Sequence, residues 1–180
     1  MLEKKGFTLI ELLVVMAIIG VMASVATLNL GRNEDRDVKE EKNRLTSFLR
    51  EVQNKALAGD TAGVTLGANE RLCGYGFHWY DNKTVKSYYR VATTLDTPCN
   101  TITNSMDGVS SHQIGDFVLQ KNVTVGSFGD IFFSAPSGEV RVAGGSGGSA
   151  IPPGGFPIVL SKGSPAVQET ITIFGSGDIK

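Results

Sequence analysis

Residues 7–58 read FTLIELLVVMAIIGVMASVATLNLGRNEDRDVKEEKNRLTSFLREVQNKALA, and this stretch changes character once, at Gly31. From Leu12 to Leu28 it holds nothing more polar than Ser24 and Thr27. Counted from Phe7, the run is long enough to cross a bilayer, near the lower end of the roughly 17–25 residues required. After Gly31-Arg32-Asn33 charge becomes dense, and an apolar stripe follows. Leu45, Phe48, Leu49, Val52 and Ala56 recur at the 3.6 period, with Arg44, Ser47, Arg50, Glu51 and Lys55 opposite. Gly59 stands where such a helix should stop. As one helix, Phe7 to Ala58 would reach roughly 78 Å at 1.5 Å per residue, with Gly31 a place for a kink. The run RNEDRDVKEEKNR alternates acids and bases, which reads as a solvated face.

Outside this stretch, composition argues for strands. Of 22 glycines only Gly6, Gly20 and Gly31 precede position 59, and all 6 prolines follow it. Those residues are costly inside helices, so long helix belongs to the first third of the chain. The stripe needs a cover, and helix first with strands after is the α+β arrangement: a long helix laid on an antiparallel sheet. With 180 residues, the chain is one ordinary domain plus an appendage. Charge is balanced, 17 Lys+Arg against 18 Asp+Glu, so composition gives no electrostatic case for nucleic acid.

The N-terminal leader MLEKKG carries Lys4 and Lys5, which should hold the N-terminus in the cytoplasm and send everything after Leu28 outward. A secretory signal peptide cut near Ala23-Ser24-Val25-Ala26, or a plain signal anchor, would share these features. Neither accounts for Glu11, a carboxylate set between Phe7-Thr8-Leu9-Ile10 and Leu12-Leu13. An acid inside an apolar span costs about 2.5 to 3.5 kcal/mol at mid-membrane, less near an end, and calls for a partner. The string Gly6-Phe7-Thr8-Leu9-Ile10-Glu11-Leu12 resembles the processing motif of type IV prepilins and type II secretion pseudopilins. The resemblance implies cutting between Gly6 and Phe7 by a membrane-embedded aspartic prepilin peptidase, then N-methylation of the new Phe7 amine. It also implies that Glu11 pairs with the Phe7 ammonium of a neighbouring subunit. Breaking a buried ion pair typically costs about 3–5 kcal/mol, which makes such a pair a strong assembly contact. The expected divisions are a cleaved leader over 1–6, a transmembrane segment over 7–30, an amphipathic continuation over 31–58 and an antiparallel β domain over 59–180.

Candidate strands are Val64–Leu66, Tyr75–Tyr80, Val85–Thr94, Phe117–Val125, Asp130–Ser134, Glu139–Val142, Pro157–Leu160 and Glu169–Phe174, with Asp81-Asn82 as a hairpin turn. Ile131–Val140 and Ile171–Ile179 echo each other: each gives a strand, a small-residue turn with Gly, then an acid and a β-branched residue. The plain reading is two hairpins of similar turn chemistry. Paired endings of this sort also resemble the H-type minor pseudopilins and the FimT-like minor pilins. The stretch Gly144–Gly155 reads as a surface loop. It contains Gly144-Gly145-Ser146-Gly147-Gly148, formally G-x-S-x-G, but Pro152-Pro153 forbids the helix that a nucleophile elbow needs.

His78 and His112 stand alone in sequence, with no adjacent acid to complete a catalytic set. Cys73 and Cys99 are the only cysteines. Zinc would need both histidines at spacings unlike the usual finger or ribbon, so an exported domain favours a disulfide over two free thiols. If formed, it would contribute about 3 kcal/mol. Strand alternation puts Lys86, Tyr88 and Arg90 on one face, where basic groups with aromatics suit single-stranded nucleic acid; without net positive charge, a wet sheet face is the plainer reading.

These features point to a minor pilin or pseudopilin: a filament subunit with no cofactor and no enzymatic activity. It would initiate, cap or join a type IV pilus or a type II secretion pseudopilus. Its expected place is the bacterial inner membrane, single-pass, with the C-terminal domain outside the cytoplasm and in the filament after assembly. The implied partners are the prepilin peptidase, other pilins or pseudopilins, the inner-membrane assembly machinery and membrane lipid. A DNA-uptake minor pilin and a membrane-anchored periplasmic enzyme are the alternatives.

Overall fold

The computed structural model describes residues 8–96, 99, 111–142 and 149–180, without the side chains of 25–32 and 111. One helix, α1 (Leu9–Ala58), runs 50 residues and passes through Gly31 without a break. At about 1.5 Å per residue it is roughly 75 Å long. Thr8 caps its start in an extended conformation, its hydroxyl accepting from the Glu11 N–H at 3.4 Å. At the other end Gly59 adopts the left-handed conformation (φ 58°, ψ 31°). There the Gly59 N–H donates to the Ala56 carbonyl and the Asp60 N–H to that of Lys55.

Among the described residues nine strands follow: β1 (Arg71–Trp79), β2 (Thr84–Ala92), β3 (Ser111–Val118), β4 (Thr124–Val125), β5 (Ile131–Ser134), β6 (Val140–Val142), β7 (Ser149–Ala150), β8 (Phe156–Lys162) and β9 (Val167–Ile173). They form two sheets, ordered β3-β2-β1-β5-β6-β7 and β4-β8-β9, and every pairing is antiparallel. The arrangement is the α+β one expected, with α1 packed on both sheets.

The stripe is buried as its period requires: Leu45, Leu49 and Ala56 are fully covered, Val52 nearly so, and Phe48 partly. It extends further toward the N-terminus than expected, through Val38 and Glu41, both fully buried. Opposite it, Tyr75, Phe77, Tyr89, Phe133, Ile158, Leu160, Ile171 and Ile173 complete one core shared by both sheets. The far face of the larger sheet has a second, small cluster of Cys73, Tyr88, Ala92 and Phe132. The rings of Tyr88 and Phe132 stack there, with centroids 6.4 Å apart. Tyr88 lies across Gly76: a Cβ at Gly76 would come within 2.6 Å of the ring, so only glycine fits beneath it.

Both echoing hairpins are present. β5 and β6 pair directly, and β9 is closed by a bridge between Ile173 and Ile179. Three expectations need correction. Val64–Leu66 is not a strand: the Val64 N–H turns back to the Thr61 carbonyl and the Thr65 N–H donates to the Tyr89 hydroxyl, so no ladder is available. Phe117–Val125 is two strands, because Lys121 and Asn122 both take left-handed φ (54° and 58°) and send the chain from one sheet to the other. Within the glycine-rich stretch, Ser149–Ala150 pairs with β6 and Ile151 is buried, so this end of the expected loop belongs to the fold. Ser146 and its flanking glycines lie outside the described residues.

Candidate functional site

Gly6 and Phe7 lie outside the described residues, and description begins at Thr8. Thr8 and Glu11 stand at the first and fourth positions of a capping-box sequence, which places the Glu11 carboxylate over the positive end of the α1 dipole. Glu11 is exposed, and its carboxylate has no partner among the described residues. Around it the helix displays apolar side chains on every side. Leu9 (82% exposed), Ile10, Leu13, Met16, Ile18, Ile19, Val21 and Met22 all remain uncovered by this chain. A helix that is apolar all round is a helix to be buried by something else. Among the described residues no helix is long and apolar enough to cross a membrane; described side chains of this run end at Ser24.

Where α1 meets the β region, the charge run is no free solvated face. Asp37 accepts from Lys162 at 2.7 Å and lies 3.3 Å from Lys121, which reaches Glu40 at 2.7 Å. Lys42 pairs with Glu169 at 3.1 Å on β9. Glu41 is fully buried, held by Arg44 (2.6 and 2.8 Å) and by the backbone N–H of Gln120 at 3.1 Å. The hydrogen bond from Lys162, helped by Lys121, holds the Asp37 carboxyl below its usual range, and Lys121 does the same for Glu40. Reciprocally, the Glu40 bond raises the Lys121 ammonium. Sequence reading missed this clasp, because its partners lie some 80 to 130 positions apart and follow no local pattern.

On the far face of the larger sheet, Lys86, Tyr88 and Arg90 do share one side of β2, paired across to His78, Gly76 and Gly74 of β1. That face is not open. Tyr88 is fully buried in one cluster with Cys73, Ala92 and Phe132, against which Cys99 packs, and Arg90 is 1% exposed. Burial raises the Tyr88 phenol and lowers the Arg90 guanidinium. Only Lys86 remains accessible, its ammonium 3.7 Å from the exposed Tyr80 ring centre. A base cannot stack on Tyr88 here, so the expected nucleic-acid face is withdrawn.

His78, expected to stand alone, does have an acid: Nδ1 contacts the carboxylate of Asp130, which is 4% exposed. Fifty-two positions separate them, so only strand pairing brings them together. His112 stacks parallel on Tyr89, with centroids 4.8 Å apart. No group of three or more metal-ligating side chains occurs among the described residues. Cys73 and Cys99 form a disulfide, with Cα atoms 5.3 Å apart.

Residues 1–27 match the family described as Prokaryotic N-terminal methylation motif. No curated protein and no solved structure matches the chain. The matched part is a type IV prepilin-like leader, and it suggests a type IV pilin-like, structural, membrane-anchored protein. Such a leader implies processing by a peptidase and assembly with other pilins.

Proposed function

We propose that the chain is a minor pilin or pseudopilin: a filament subunit that initiates, caps or joins a type IV pilus or a type II secretion pseudopilus. One observation carries the reading. Residues 1–27 match the methylation motif, and within that match the described turns of α1 up to Ser24 are apolar and left uncovered by the chain's own domain, with one carboxylate, Glu11, in the first turn.

In this reading residues 1–6 are removed between Gly6 and Phe7, and Phe7 becomes the methylated N-terminus. Residues 7–30 form the single membrane span of the subunit before assembly, 31–58 its amphipathic continuation, and 59–180 the β domain outside the cytoplasm. The apolar run is long enough for that span. Within it, Glu11 takes as counter-charge the Phe7 ammonium of a neighbouring subunit, since a lone carboxylate in lipid is costly. We place it beside the H-type pseudopilins and FimT-like minor pilins on the sequence echo of Ile131–Val140 and Ile171–Ile179 alone.

Glu11→Ala separates assembly from export. The variant should be processed normally, because the span becomes more apolar and the cut site is untouched. Its recovery in sheared filaments, read by immunoblot, should fall several-fold, and undiminished recovery would remove the ion pair from the account.

A further inference from the structure

The disulfide is asymmetric in its access to solvent. Cys73 sits at the bulge of β1, 1% exposed, under Tyr88 and Phe132. Cys99 is half-buried, and the two sulfur-bearing residues together line an open pocket of about 190 Å³ with Ser134, Ser137, Glu139 and Arg141. Arg141 donates to the Glu139 carboxylate at 2.9 Å, which keeps its guanidinium at the pocket wall. Thiol–disulfide exchange depends on which sulfur can be reached and on how strongly the surroundings favour a thiolate. Here Cys99 is the half-buried member of the pair and Cys73 the buried one, at a pocket whose wall holds the Arg141–Glu139 pair.

We propose that this pocket is a thiol-exchange site, in which an external thiolate attacks the Cys99 sulfur and Cys73 is the leaving group. The bond from the external sulfur to Cys99 forms as the Cys73–Cys99 bond breaks. The electron pair leaves on Cys73, which takes a proton from solvent, and a second external thiol completes the two-electron reduction by resolving the mixed disulfide. The reverse order makes the bond: Cys99 carries the mixed disulfide and buried Cys73 closes it. Arg141 positions and favours the incoming anion. Exchange releases residue 99 from β1 and loosens the Tyr88–Phe132 cluster, so the far face of the sheet responds to external thiols. The thiol is either a small molecule or the exposed cysteine of a dithiol oxidoreductase; both present the same thiolate.

The test uses the full chain in detergent, treated in one arm with reduced glutathione. A second arm uses a two-cysteine oxidoreductase whose resolving cysteine is replaced by serine. Acid quenching and peptide mass spectrometry then locate the adduct. The adduct should sit on Cys99, at a rate linear in thiol concentration, in the glutathione arm, the oxidoreductase arm or both; which arm responds identifies the source. Arg141→Ala should slow exchange several-fold and Arg141→Lys should restore most of it, with unchanged thermal unfolding of the oxidised protein. An adduct on Cys73, a rate that plateaus with thiol concentration, or equal rates for the two Arg141 variants and the parent would overturn the proposal.

Discussion

Glu41 is fully buried on a helix whose other charges in this stretch meet water or partly exposed partners. Its two oxygens are taken by Arg44 and the Gln120 N–H, so the carboxylate closes the loop after β3 against α1. Glu41→Ala would leave that N–H without a partner and should destabilise the domain by about 1–3 kcal/mol. Glu41→Gln, which keeps an acceptor oxygen, should cost less; urea unfolding followed by Trp79 fluorescence distinguishes the two. Leu49 tests the apolar stripe in the same assay: Leu49→Ala should cost about 2–5 kcal/mol, as for other buried Leu truncations, and a cost below half a kcal/mol would contradict helix-on-sheet packing. Single residues were unevenly legible. Leu49 was legible because it belongs to a periodic pattern. Glu41 sits in a run of charges that looks solvated, and Asp130 finds His78 only through the pairing of β1 with β5.

At the scale of elements, α1 is held in two ways. Leu45, Leu49, Val52 and Ala56 dock its C-terminal half by apolar burial, whereas Asp37, Glu40 and Lys42 fasten the preceding turns through ion pairs. The Asp37 and Glu40 carboxyls have folded pKa values depressed below their ordinary 3.8 and 4.5. Their contribution is therefore present above the unfolded pKa and lost as pH falls through the depressed folded values. Amide hydrogen exchange around residues 34–42 should accelerate below about pH 4 while residues 45–56 stay protected. Equal protection of both halves at low pH would show that the ion pairs do not hold the first. High salt should act in the same direction, more weakly, since these pairs are partly exposed. The stripe was legible because a helical period is local. The clasp and the division of Phe117–Val125 were not, because the former depends on tertiary pairing and the latter on left-handed backbone at two residues other than glycine.

For the whole molecule, the partition of glycine and proline after position 59 made the α+β class readable, while the separation into two sheets depends on long-range strand order that no local signal carries. The molecule has two regions with opposite needs. The β region and the second half of α1 bury each other, so residues from about 32 onward should fold alone as a cooperative monomer, checked by sedimentation and thermal unfolding. The described side chains at the start of α1, up to Ser24, are uncovered by this chain, as in a helix that something else must bury. That division rests on where the mature chain begins, so the most direct measurement is the intact mass and N-terminal sequence of protein extracted from membranes. The account predicts a chain starting at Phe7 with a methylated amine; a chain starting at Thr27, as a secretory signal peptidase would leave it, would contradict the account.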